Sequence, residues 1–292
     1  MFAITGITGK VGGEVARTLL AAGQAVRAVL RDDAKAAGWK AQGCEIDLAD
    51  IEDQTALAAA FAGAEGVFIL PPSEFDPEPG FPEARKVIDA IVAALTAARP
   101  LKVVCLSTIG ADATHENLLT QRQLLETALS DIAIPVTFLR PAWFMENAMW
   151  DVATARDQGI LQSFLQPADK AFPMVATRDV GRLAAELLQQ SWIGTRVVEL
   201  EGPERVSPDD LASAFGAVLN RSVSVETIPR ETWEGLFRSQ GMKNPGPRAR
   251  MLDGFNESWI EFADQGRSST KGSTPLIEVI SALVAQNNNS NE

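Results

Sequence analysis

Short apolar runs alternate with stretches of helical spacing through the first half of the chain. Phe2–Thr5, Ala25–Leu30, Gly66–Leu70, Lys102–Leu106 and Val136–Leu139 read as strands, and a weaker run at Cys44–Ile46 adds a sixth. Between them Val11, Val15 and Leu19 recur at every fourth position, and Ala56–Phe61, Val87–Leu95 and Leu118–Leu129 carry similar apolar stripes. Single helices between successive strands imply parallel pairing through right-handed crossovers. The expected fold class is therefore α/β, a Rossmann-type doubly wound parallel sheet followed by a smaller C-terminal α/β lobe.

After Arg140-Pro141 the pattern loosens. Trp143–Asp157 reads as a helix, and Val180, Leu183, Ala184, Leu187 and Leu188 predict another over Asp179–Gln190. Arg196–Leu200 and Val223–Ile228 read as strands. Ser207 as N-cap with Pro208 at the first helical position opens a helix, and Leu276–Val284 closes the chain with one. Gly241–Pro247 and Gly266–Ser273 are loop-like. The expected organisation is a dinucleotide-binding domain over residues 1–142 and a smaller substrate-binding lobe over 143–286, with part of the chain returning to the sheet. A disordered polar tail is expected over 287–292.

The strongest local signal is Thr5-Gly6-Ile7-Thr8-Gly9-Lys10-Val11-Gly12, directly after the first strand and opening the first helix. Gly6 permits a tight turn off the strand, Gly9 lets backbone N–H groups approach a pyrophosphate, and Gly12 lets helix and sheet pack closely. The helix N-terminus adds unpaired donors and a partial positive charge. In this strand–turn–helix context the motif points to a dinucleotide held by Gly6, Thr8, Gly9, Lys10, Val11 and Gly12. The second strand ends in Arg31, where a guanidinium can hold a 2′-phosphate, with Lys35 as a second contact. Asp32 competes for the ribose, so NADPH is expected over NADH, with NADH as the alternative. After the third strand, Asp47 with Leu48 suits the adenine, while Asp50 reads equally as a cap for the next helix. Leu70 and Pro71 follow the fourth strand, where the cofactor crosses the sheet.

Composition then narrows the function. Of 292 residues, 38 are acidic and 26 are Lys or Arg, a net charge of −12 with no basic stripe, which disfavours nucleic acid. Met1 runs straight into the first strand with no signal-type segment, and no apolar run is long enough to span a membrane, so a cytoplasmic protein is expected. The two cysteines, Cys44 and Cys105, have no metal-ligand spacing and read as reduced structural thiols; no metal is expected. Tyrosine is absent altogether.

With these residues in hand, the chain resembles the NmrA-like branch of the atypical short-chain dehydrogenase/reductases over nearly its whole length. The resemblance rests on the glycine motif, Val26–Arg31, Leu106-Ser107-Thr108, Thr137–Pro141 followed by Trp143–Asn147, Thr177–Gly181 and Leu200–Glu204. Ser207–Pro229 resembles the family's following helix–strand pair. The resemblance implies a nicotinamide near Leu70, Pro71, Ser107, Thr108 and Pro141, with Trp143 and Phe144 beside it. The family includes quinone- and dye-type reductases as well as redox regulators that bind the dinucleotide without turnover.

Typical short-chain dehydrogenases protonate their substrate through Tyr-x-x-x-Lys. Here the tyrosine place falls on Leu118 and the lysine place on Arg122, and without tyrosine that relay is excluded. His115, the one histidine, and Arg122 are the candidate catalytic groups. Phe144, Glu146, Asn147 and Trp150 are candidates for the substrate pocket, although Glu146 and Asn147 read equally as residues that stabilise the domain junction. Trp143, Met145, Met149, Trp233, Phe237, Met242, Met251 and Phe255 suit a flat apolar ligand or, for most of them, plain core. The expected function is an NADPH-dependent oxidoreductase reducing a quinone-like or other conjugated apolar acceptor, as a monomer or homodimer. The alternative is a non-enzymatic dinucleotide sensor acting through a protein partner.

Overall fold

The computed structural model describes residues 1–289, which form two compact units. The first comprises Met1–Ala111, Leu119–Arg140 and Val180–Val198; the second comprises Asp112–Leu118, Pro141–Asp179 and the chain from Glu199 onward. Along the chain the elements begin with β1 (Phe2–Ile4), α1 (Lys10–Ala21), β2 (Val26–Leu30), α2 (Ala36–Ala41) and β3 (Glu45–Leu48). There follow α3 (Gln54–Phe61), β4 (Gly66–Ile69), α4 (Pro82–Ala98), β5 (Lys102–Leu106), α5 (Thr120–Ser130) and β6 (Val136–Pro141). The remainder is β7 (Trp143–Phe144), α6 (Val152–Gln158), β8 (Ile160–Ser163), β9 (Met174–Val175), α7 (Thr177–Gln189) and β10 (Thr195–Glu201), then α8 (Pro208–Leu219), β11 (Ser224–Thr227), α9 (Trp233–Ser239), α10 (Gly246–Asn256), β12 (Thr270–Lys271) and α11 (Leu276–Asn289).

The central sheet has eight strands in the order β3-β2-β1-β4-β5-β6-β10-β12. Its pairs β1–β2, β1–β4, β2–β3, β4–β5 and β5–β6 are parallel. Strands β1, β4, β5 and β6 are buried at every position, as strands covered by helices on both faces must be. One core layer gathers Phe61 of α3, Ile91 and Leu95 of α4 and Leu125 of α5 against Val67, Val103 and Phe138 of the sheet. On α1, the residues read as one stripe, Val11, Val15 and Leu19, are all buried. The chain leaves β1 toward β2 on one side and β4 lies on the other, so the strand order reverses there. In such sheets the crevice beyond the carboxyl ends at this reversal is where ligands bind.

Within the second unit, β8 pairs with β11 and β7 with β9, both parallel. Helices α6, α8 and α11 pack together, and Phe164, Trp233 and Phe237 form an aromatic core. The last residues of β10, Leu200 and Glu201, pair with β12. Trp233 and Phe237 are fully buried, so they are core and not ligand contacts.

Several sequence expectations are corrected here. Trp143–Asp157 is not one helix: Trp143 and Phe144 pair with Met174 and Val175, residues 145–151 form 3₁₀ turns, and only Val152–Gln158 is α-helical. Helix α5 starts at Thr120, so Leu118 lies outside it. The loop expected at Gly241–Pro247 already contains the start of α10, and that at Gly266–Ser273 contains β12. Of the tail expected over 287–292, residues 287–289 continue α11 and the rest lies outside the described residues. Ser207 caps α8 as read, in a reciprocal arrangement with Asp210.

Candidate functional site

The glycine turn is built by a small set of local bonds. Thr5 donates its hydroxyl to Phe68 O (3.0 Å) and accepts from Leu70 N (2.8 Å), which ties the end of β1 to the end of β4. Gly6 then turns with φ +64°, a left-handed conformation that a side chain disfavours, and its Hα side faces the Leu70 side chain. Gly12 sits so close to Gly6 that a Cβ there would lie 2.3 Å from the Gly6 carbonyl oxygen. Thr8, Gly9 and Lys10 are exposed, whereas Val11 is buried under the turn. No side chain caps α1, and its first turn holds no acidic residue. An open helix N-terminus therefore faces solvent beside the crevice, a ready acceptor site for phosphate.

Arg31, exposed after β2, makes no hydrogen bond or ion pair among the described residues. Asp32, its competitor, accepts from Ala34 N through Oδ1 (3.0 Å) and caps a short 3₁₀ turn that carries exposed Lys35. Arg31 lines an open cleft of about 660 Å³ together with Asp50, Glu52, Asp53, Pro72 and Lys86. Asp47 pairs with Arg27 Nε at 3.2 Å, and Leu48 next to it is 52% exposed. Asp50 does not cap α3. It accepts from Glu52 N, and the cap is Asp53, which accepts from Thr55 N and Ala56 N. The reading of Asp50 as a cap fails because the first helical turn closes three residues later.

Pro71 is buried and Leu70 half-buried at the end of β4. Arg122, on α5, donates to Pro71 O (3.0 Å), Pro72 O (3.4 Å) and Ser73 Oγ (2.7 Å). Its guanidinium thus fastens this loop, and burial lowers its pKa from the ordinary arginine value. Ser107, at the end of β5, is buried and donates to Glu126 Oε1 at 2.5 Å; Thr108 beside it is half-buried. Glu126 in turn receives two bonds from Arg140, at 2.9 and 2.7 Å. This Ser107–Glu126–Arg140 network joins β5, α5 and β6 and had no sequence signal, because its members are far apart in the chain and of ordinary type. Cys105, two residues before Ser107, is fully buried, and burial pushes its thiol up to about 12. Among the described residues no group of side chains is arranged to hold a metal, and no helix is long and apolar enough to cross a membrane.

The second unit holds the remaining candidates. Pro141 is buried, and Trp143 meets Phe255 edge-on at 5.2 Å, with Phe144 half-buried next to it. Glu146 is a cap: both its oxygens accept from Thr177 N at 3.0 Å and Oε1 also accepts the Thr177 hydroxyl at 2.5 Å. Asn147 is exposed, and Trp150 is 83% exposed. His115 is exposed with its ring 4.9 Å from that of Trp259. Asp151, which ends the 3₁₀ turns, went unremarked in the sequence; burial pushes its carboxyl up to about 7.

Known proteins resemble the whole of this architecture. Quinone oxidoreductase 2 of Escherichia coli (strain K12) is 29% identical over 256 residues, covering 86% of this chain and 85% of that protein. The NAD(P)H azoreductase of Xenophilus azovorans is 26% identical over 259 residues, covering 88% and 85%. The crystal structure of an Escherichia coli NADPH-dependent quinone oxidoreductase complexed with NADPH shares the fold, with a TM-score of 0.79 at 24% identity over 97% of this chain and 99% of that one. The model of the NmrA-like family matches residues 1–257, and the chain belongs to that family.

Proposed function

We propose that this protein is an NADPH-dependent oxidoreductase that reduces a quinone-like or other conjugated apolar acceptor without a Tyr-x-x-x-Lys relay. One observation carries the reading: the uncapped N-terminus of α1 and Arg31, unpartnered among the described residues, both stand at the carboxyl ends of adjacent strands. That is the arrangement a dinucleotide with a 2′-phosphate requires. The similarity to a quinone oxidoreductase and an azoreductase over most of the chain supports the reaction class.

The chain's own residues divide the work. Thr8, Lys10, Val11 and Gly12 offer the pyrophosphate their backbone donors, while Gly6 and Gly9, whose N–H donates to Gly6 O at 2.9 Å, shape the turn and keep it clear of side chains; Gly12 is fitted to this closeness since a Cβ would strike Gly6. Arg31 and Lys35 receive the 2′-phosphate, while Asp47 and the exposed Leu48 flank the adenine. Leu70, Pro71, Ser107 and Thr108 flank the nicotinamide in the first unit. When bound, the reduced nicotinamide supplies a hydride from C4. Arg122 positions the Pro71–Ser73 loop, and the Glu126–Arg140 pair fixes the Ser107 hydroxyl. The product needs one proton as well, and with no tyrosine in the chain water is assigned as its source. His115 is not required by this scheme, so His115→Ala is expected to retain turnover. In the second unit Phe144 and Trp150 meet the acceptor, whereas Glu146 acts through its cap on α7.

The test is to titrate NADPH and NADH binding and then follow loss of reduced-nicotinamide absorbance with a panel of quinones and azo dyes. Turnover that prefers NADPH is expected. Tight binding with no turnover on any acceptor would replace the reductase by a dinucleotide sensor, and no binding of either cofactor would end both readings.

A further inference from the structure

Arg248 stands apart from the other cations of the second unit. It lies in the first turn of α10, half-buried, with its guanidinium carbon 4.3 Å from the centre of the Phe237 ring. The one bond it makes among the described residues is from Nη1 to the Met242 sulfur at 3.7 Å, a weak acceptor. Burial holds its pKa below the ordinary arginine value. The carboxylate nearest along its own helix, Asp253, is already taken: it receives Arg230 at 2.5 and 2.8 Å and has Arg250 at 3.9 Å. In a chain with 38 acidic and 26 basic residues, a half-buried guanidinium with no carboxylate is a position held against the prevailing charge. A desolvated cation attracts an anion more strongly than a surface one, and a planar fork suits an oxyanion.

Its place on the helix relates it to Trp143, which directly precedes the candidate acceptor contact Phe144. Arg248, Leu252 and Phe255 are spaced i, i+4, i+7 and share one stripe of α10. Phe255 is the residue that meets Trp143 edge-on. At a rise of 1.5 Å per residue, Arg248 lies about 10 Å along α10 from that aromatic pair. This is roughly the reach of a two-ring conjugated molecule bearing a substituent at its far end.

We propose that Arg248 receives an anionic oxygen substituent of the acceptor, a carboxylate, sulfonate or phosphate, so that this protein prefers negatively charged conjugated acceptors. The identity of the ligand as an acceptor rests on the reductase reading; the anion site itself does not. The probes are 1,2-naphthoquinone-4-sulfonate and uncharged 1,2-naphthoquinone, with binding measured by equilibrium dialysis in the presence of NADP+, which cannot reduce the quinone, and turnover by reduced-nicotinamide absorbance with NADPH, both on the full chain. Carboxylated and phosphorylated naphthoquinones in the same series identify which oxyanion fits best.

In the native protein the sulfonate is expected to bind about tenfold more tightly than the uncharged quinone, the worth of one charge-assisted contact. Arg248→Met keeps the apolar stem on Phe237 and removes the charge; the preference should vanish, through KM and not kcat. Arg248→Lys keeps the charge and should retain part of the preference. No preference in the native protein, or a preference unchanged in Arg248→Met, overturns the proposal. If the dialysis preference is present and lost in Arg248→Met while no acceptor is ever reduced, the anion site stands and the reductase reading falls.

Discussion

At the scale of single residues, the site depends on where a side chain is forbidden and where a charge is left open. Gly12→Ala places a methyl group 2.3 Å from the Gly6 carbonyl, backbone against backbone, with no flexible atom to yield. A loss of about 1–3 kcal/mol in urea unfolding is expected, with NADPH binding weakened in the same variant. Arg31→Gln removes a guanidinium that nothing else in the described structure uses. The NADPH-to-NADH preference in kcat/KM should fall about tenfold, with NADH turnover little changed. Gly12 was readable in the sequence from the glycine spacing after β1, and Arg31 from its place directly after β2. The cap that Asp32 makes was not, since the Ala34 N–H it receives is brought to it only by the turn that follows.

At the scale of elements, the contacts that hold the site are between strands and helices distant in sequence. Glu126 accepts from Ser107 and Arg140, 19 and 14 residues away, and all three are buried. Glu126→Ala removes the anion that this buried arginine faces and should cost about 3–5 kcal/mol in urea unfolding. Glu146 satisfies the first turn of α7 from a segment 31 residues earlier. Glu146→Ala is expected to lower stability by about 1–2 kcal/mol, while Ser207→Ala, which breaks the α8 capping box, lowers it by about 1 kcal/mol. Ser207 was legible because a capping serine directly before a proline at the first helical position is a local signal. Glu146 was open between a pocket and a structural role, since its partner is fixed only by the folded chain.

At the scale of the whole molecule, two carboxylates give stability opposite dependences on pH. Burial raises Asp151 to about 7 from an ordinary aspartate value of 3.8, so the folded state binds its proton more tightly than the unfolded state. Its contribution is fully favourable below pH 4 and is lost as pH rises toward 7. Asp151→Asn should therefore gain on the native protein across that interval, by up to a few kcal/mol in urea unfolding. Glu201 shifts the other way: desolvation opposes ionisation, but Lys271, Ser269 and Arg205 outweigh it and lower its pKa. Its stabilisation is present above the ordinary glutamate range and is lost on acidification, so Glu201→Gln should cost most at neutral pH. An Asp151→Asn variant whose stability tracks the native protein at every pH would refute the burial argument. The sequence by itself determined the parallel α/β sheet, the glycine turn at its reversal and the cation after β2. Apolar periodicity and glycine spacing are local, and they act before any distant contact forms. The tertiary structure alone decided that Arg122 fastens a loop, that Glu126 and Arg140 support Ser107, and that Arg248 is left without a carboxylate among the described residues. Pairing and desolvation depend on which charges the fold brings within hydrogen-bonding distance, and no spacing along the chain carries that information.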